Sequence, residues 1–119
     1  MDLVDLQIHA ICAGGYDEYQ RAHGEPHPTI VNLWNVLGGM TNAEQADFLR
    51  FVTSCPRPPI LGFGHLQPPL TIQMVQSEDR LPTAATCVSL LKLPAYRSRD
   101  VLREKLLYAI KSNSGFDLS

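Results

Sequence analysis

An α/β fold, a small sheet packed with several amphipathic helices, is predicted for this 119-residue chain on three observations. Ile30, Leu33, Trp34 and Leu37 fall at the spacing of one helix face. Thr41 followed by Glu44 is the signature of a capping box, in which the hydroxyl accepts an amide of the first turn and the carboxylate reaches back. Leu70, Ile72 and Met74 alternate with Thr71, Gln73 and Val75, the period-two mark of a half-buried strand.

The elements follow in chain order. Leu6, Ile8 and Ala10 alternate like a short strand, and Gly14-Gly15 ends it. Tyr16 to Pro28 holds charges, histidines and two prolines and reads as a surface loop with room for a short helical turn. A helix from Thr29 ends at Gly38-Gly39. The capped helix after Thr41 turns Phe48, Phe51 and Val52 inward and stops before Pro56. Pro56-Arg57-Pro58-Pro59 excludes helix, because each proline removes an amide donor and restricts its predecessor. Short apolar runs follow at Ile60–Phe63 and Leu70–Val75. Gln76–Arg80 is a polar turn, Leu81–Ala85 a stretch of small residues with one proline, and Val88–Leu93 a second strand closed by Pro94. Ser98 caps the last helix, whose buried stripe is Leu102, Leu106, Ala109 and Ile110, with Lys111 at the negative end of its dipole.

Size and composition bound the function. The length suits one domain, 1–119, with a core of its own. Ten Lys/Arg against twelve Asp/Glu give a net charge of −2, which argues against a module built on phosphate neutralisation and so against a nucleic-acid partner. No apolar run approaches the roughly 20 residues of a membrane span, and the first residues lack a basic-then-apolar signal pattern. Three cysteines in no dense framework fit free thiols in a reducing compartment, the cytoplasm or the nucleus.

Among the chemical groups, Cys87 stands out. It lies between the small residues Pro82-Thr83-Ala84-Ala85-Thr86 and the apolar run from Val88, a loop–strand junction with room for a large partner. Cys12 and Cys55 sit beside ordinary element ends and are expected to be buried structural thiols. His23 and His27 are separated by Pro26, and His9 with Cys12 lacks a second pair, so no metal and no cofactor is expected. His65 is the histidine that would have to serve Cys87 as a base in a hydrolase dyad. Gly38-Gly39 is not followed by Lys-Ser or Lys-Thr, and no Gly-x-Ser-x-Gly elbow occurs. Lys92, Arg97, Arg99, Arg103 and Lys105 are interspersed with Asp100 and Glu104, as on a solvated helix face. Phe116, four places from the end and beyond the last helix, has little reason to be there for helix stability; the plain alternative is a ring folded back onto the core to pin the tail.

Several ordered segments resemble the carboxy-terminal lobe of HECT-type ubiquitin ligases. They are Leu81-Pro82-Thr83-Ala84-Ala85-Thr86-Cys87; Phe48 through Cys55 with Arg57-Pro58-Pro59 and Gly62-Phe63; Leu90 through Tyr96; Leu102 through Leu106; and the ending Gly115-Phe116-Asp117-Leu118-Ser119. The resemblance extends from about Ile30, and more loosely from Gly14-Gly15-Tyr16, to the last residue. It implies covalent acyl transfer: a charged ubiquitin-conjugating enzyme passes ubiquitin to the Cys87 sulfur as a thioester, and a substrate lysine then takes it. By the same resemblance Thr86 positions the nucleophile, Phe116 serves the transfer to substrate, and Leu81, Pro82 and Val88 meet the ubiquitin tail, which would lie along the strand from Val88. The implied partners are ubiquitin, the conjugating enzyme and protein substrates.

Two departures qualify the carry-over. Many relatives have a histidine two places before the cysteine, where this chain has Ala85. The larger amino-terminal lobe that docks the conjugating enzyme is absent, so the chain is expected to be a piece of a longer ligase that keeps a reactive cysteine but loses most transfer activity. Two other readings remain open at this level: a ubiquitin-binding domain with an inert Cys87, and the Cys87–His65 hydrolase.

Overall fold

Helix starts in this chain are made by side chains that accept otherwise unpaired first-turn amides. The computed structural model, which describes residues 2–55, 57 and 59–113, shows this at four helices. Asp2 caps α1 (Leu3–His9) by accepting the Asp5 amide at 3.1 Å. His27 caps α3 (Pro28–Gly38), its Nδ1 accepting the Thr29 amide at 3.0 Å, with Pro28 in the first turn. Thr41 and Glu44 close both halves of the capping box on α4 (Asn42–Thr53). Ser98 Oγ accepts the Asp100 amide at the start of α5 (Arg99–Asn113). Between α1 and α3 lie β1 (Ile11–Ala13) and α2 (Tyr16–His23); after α4 come β2 (Thr71–Val75), β3 (Thr83–Ala85) and β4 (Leu90–Pro94). Single 3₁₀ turns occupy Phe63–His65 and Thr86–Val88.

The sheet has the order β1-β2-β4-β3; β1, β2 and β4 run parallel, and β3 pairs antiparallel with β4. Register sets Ile72 beside Leu91 and Met74 beside Leu93, so one face collects the apolar side chains. Ile72, Leu91 and Leu93 are fully buried in one core with Leu33 and Leu37 of α3, Phe48 and Val52 of α4, and Leu102, Leu106 and Ile110 of α5. The stripes predicted for α3, α4 and α5 are those that face this core, with Trp34 and Phe51 half-buried at its margin.

Three expectations are corrected. Residues 3–9 are helix rather than strand: Leu6 is buried while Ile8 is 70% exposed, because residues two apart on a helix point away from each other and Asp2 supplies the cap. The room left for a helical turn after Gly15 is filled by α2, two turns held by an Asp17–Arg21 pair at 3.5 Å and by Tyr16, whose ring is buried. Thr83–Ala85 forms a strand that carries no apolar alternation; pairing with β4 creates it. Of the run Ile60–Phe63 only Phe63 enters the core, while Ile60 and Leu61 are exposed.

Candidate active site

The last rung between β3 and β4 is Ala85 with Leu90, leaving Thr86, Cys87, Val88 and Ser89 as a four-residue hairpin loop. Its first three residues form the 3₁₀ turn, and Ser89 closes it in the left-handed region at φ 48°. Ser89 is buried; its amide donates to the Thr86 carbonyl at 3.3 Å and its own carbonyl accepts the Thr71 amide at 2.9 Å, which ties the loop to the start of β2. α4 packs against this turn. Thr86, Cys87 and Val88 are left exposed at the tip, and among the described residues no hydrogen bond or ion pair engages the Cys87 thiol. The sulfur therefore sits on a hairpin tip, not at the loop–strand junction read from sequence. Val88 belongs to the turn because the chain must reverse before β4 can pair.

β4 is flanked by β2 on one side and β3 on the other, so its backbone groups are taken. An extended peptide has no edge to join there, which corrects the expected strand addition along the residues from Val88. The outer edge of β3 pairs with no strand among the described residues. Leu81 is partly exposed just before it, and Pro82 is buried.

At the mouth of the hairpin, opposite the tip, the Tyr96 hydroxyl donates to the Arg80 carbonyl, and Arg97 pairs with Glu78 at 3.3 Å. Burial pushes the Tyr96 phenol up to about 12, so it remains a protonated donor across the neutral range. Tyr96 also accepts the Thr29 hydroxyl on its carbonyl at 3.0 Å, joining the mouth to the start of α3. Sequence reasoning missed both Tyr96 and Ser89 as shapers of the loop. Tyr96 stood within a quoted segment, but its acceptor is a backbone carbonyl and leaves no side-chain signal.

Residues 1–119, the whole chain, match the HECT-domain (ubiquitin-transferase) family. The chain belongs to that family. It is 43% identical over 145 residues to Ubiquitin-protein ligase E3B of Mus musculus, 47% over 121 residues to Probable E3 ubiquitin protein ligase C167.07c of Schizosaccharomyces pombe, and 48% over 120 residues to E3 ubiquitin-protein ligase HUL5 of Saccharomyces cerevisiae. Each match covers 100% of this chain and between 11% and 13% of the relative, so the chain spans roughly an eighth of the length of these curated proteins. The α/β fold, with its mixed four-stranded sheet, suits the carboxy-terminal lobe of a HECT domain.

Among the described residues, the remaining candidate groups of this HECT chain make no hydrogen bond to the hairpin tip. His65 lies exposed in the turn Phe63–His65, which docks on α1 through the Phe63 amide and Asp5 Oδ2 at 2.7 Å. The turn that carries Cys87 packs against α4 instead, and no hydrogen bond joins the two side chains, so the hydrolase dyad has no geometric support. Cys12 is half-buried in β1, and burial, then the nearby Asp17 carboxylate, pushes its thiol up. Cys55 is exposed rather than buried: it follows the left-handed C-cap Ser54 and its Sγ donates to the Arg57 carbonyl at 3.5 Å. His23 Nδ1 faces the Tyr19 carbonyl and His27 Nδ1 is occupied as a cap. Among the described residues no three His, Cys, Asp or Glu side chains gather as metal ligands, and no helix is long and apolar enough to cross a membrane. Phe116 lies outside the described residues.

Proposed function

We propose that this chain is the carboxy-terminal catalytic lobe of a longer HECT-type ubiquitin ligase, with Cys87 as the acyl-accepting nucleophile. The observation that carries the reading is the placement of Cys87: an exposed, unengaged thiol at the tip of a hairpin whose other residues are fixed by the sheet and by Ser89. In the first step the Cys87 thiolate attacks the carbonyl carbon of the thioester between ubiquitin and the conjugating enzyme, and the enzyme's thiolate leaves. In the second step a substrate lysine amine attacks the new thioester, gives up its excess proton, and expels the Cys87 thiolate. An exposed sulfur suits both steps, since each requires a protein-sized partner to reach it.

The free outer edge of β3 supports a refined place for the extended ubiquitin tail, alongside Thr83–Ala85, with Leu81 and Pro82 before the strand and Val88 beyond the tip. Thr86, next to the nucleophile, is assigned to orienting the acyl carbonyl, and Phe116 to transfer onto substrate. Ala85 offers no imidazole two places before Cys87, so proton removal from the lysine falls to a group outside this hairpin. The family membership supports ubiquitin, a conjugating enzyme docking mainly on an amino-terminal lobe, and protein substrates as partners, in a reducing intracellular compartment.

The test is intact mass after exposure to ubiquitin carrying an electrophilic carboxy terminus. One ubiquitin on the native chain and none on Cys87→Ala is the expected result. Labelling that persists in Cys87→Ala, or is spread over Cys12 and Cys55, would overturn the assignment.

A further inference from the structure

The hairpin bearing Cys87 has three ladder pairs, Thr83–Lys92, Ala84–Leu91 and Ala85–Leu90, and cannot add a regular fourth at its mouth. The next hydrogen-bonded pair in this register is Leu81–Pro94, and Pro94 has no amide to donate. The Pro94 carbonyl, its remaining backbone group, already accepts the Tyr96 amide at 2.8 Å. β3 is a three-residue edge strand, and this short ladder is what joins it to the rest of the sheet. Here the support on the β3 side comes from a side chain: Tyr96, 1% exposed, donates its hydroxyl to the carbonyl of Arg80, two residues before Pro82. The tyrosine itself is fixed three ways, by core packing, by its amide on the Pro94 carbonyl at 2.8 Å, and by the Thr29 hydroxyl on its carbonyl. It is a fixed post to which the chain before β3 is fastened.

We infer that Tyr96 is a positioning residue for the Cys87 hairpin: its hydroxyl replaces the missing ladder rung and so holds the outer edge of β3, and the tip beyond it, in the arrangement that a large acyl donor must meet. The inference rests on the reading of Cys87 as the acceptor. A small reagent needs only an exposed sulfur. A ubiquitin tail needs the edge of β3 and the thiol together, in fixed relation. Loss of the clasp therefore affects the two differently, which separates positioning from general stability.

The experiment compares the native 119-residue chain with Tyr96→Phe, which keeps the buried ring and removes only the donor. Two rates are followed at Cys87 by peptide mass mapping: capture of ubiquitin with an electrophilic carboxy terminus, and alkylation by iodoacetamide. Tyr96→Phe is expected to slow ubiquitin capture roughly three- to ten-fold, the rate equivalent of one hydrogen bond, and to leave alkylation within about two-fold. Val36→Ala, a core loss on α3, serves as the variant of reduced stability with an intact clasp and is expected to keep the native ratio of the two rates. Equal ratios in Tyr96→Phe and the native chain, or an equal drop in Val36→Ala, would overturn the inference. Amide exchange across Arg80–Cys87 decides the clasp itself should the native chain fail to capture ubiquitin, a result that would count against the Cys87 reading alone. Faster exchange there in Tyr96→Phe supports the clasp, and unchanged exchange refutes it.

Discussion

The hydroxyl of Tyr16, at the first position of α2, donates a 2.7 Å hydrogen bond to the carbonyl of Leu93 in β4, 77 residues away in the chain. The phenol is buried, and burial with the neighbouring Cys12 and Tyr96 raises its pKa far above the ordinary value, so it acts as a neutral donor. Tyr16→Phe keeps the ring but leaves the Leu93 carbonyl without that partner. The expected loss is about 1–2 kcal/mol in urea unfolding, with a fall of a few degrees in Tm. A change below about 0.3 kcal/mol would show that water replaces the hydroxyl there.

Acidification should weaken the start of α3. His27 caps that helix with Nδ1 as acceptor, which requires the neutral ring. Its pKa is lowered from 6.5, first by burial and then by the neighbouring His23, and the Tyr16 and Tyr19 rings pack on it edge-on. A depressed folded-state value means that the unfolded chain takes up the proton more readily. The stabilisation is therefore complete above about pH 6.5 and is lost as pH falls through the folded-state value. His27→Asn, a cap that does not titrate, should give a flatter curve of Tm against pH below neutrality. Parallel curves for the two proteins would dismiss the cap as the source.

The three thiols should separate by reactivity. Cys12 is half-buried and its pKa is raised, whereas Cys55 and Cys87 are exposed. Iodoacetamide at pH 7.5, read by peptide mass mapping, is expected to modify Cys55 and Cys87 well before Cys12, since the thiolate is the attacking species. Modification of Cys12 at a rate equal to the others would mean that β1 opens readily.

Gly14 should resist even the smallest side chain. Its φ is +70°, and a Cβ there would stand 2.8 Å from Gln73 Cγ and 3.0 Å from the backbone nitrogen of Met74. The backbone contact cannot swing aside, because Gln73 is paired to Ala13 in the sheet. Gly14→Ala is expected to cost more than about 1 kcal/mol, measured by chemical denaturation. By contrast Thr41→Ala, which removes the capping box at an exposed site, should cost about 1 kcal/mol and leave ubiquitin capture at Cys87 unchanged.

Local signals were legible where the physics is local. The capping box at Thr41 and Glu44, the stripes of α3 and α5, the alternation in β2 and the cap at Ser98 each depend on residues within a turn or two of one another. They were readable for that reason. The quoted HECT segments likewise lie along the chain in order, and the whole-chain family match agrees with them. Phe116, the last site residue legible in that way, falls outside the described residues.

The sequence by itself thus determined the class of fold, the family and Cys87 as the residue to examine. Tertiary structure decided the rest. It made a strand of Thr83–Ala85, whose propensity is low, because β4 offered ladder partners. It moved the nucleophile candidate from a junction to a hairpin tip, left Cys55 in solvent, and packed the turn of His65 against α1. It also closed the hairpin through Tyr96 and a backbone carbonyl. Pairings of this kind join groups far apart in the chain and depend on backbone atoms that every residue carries, so no local pattern of side chains announces them.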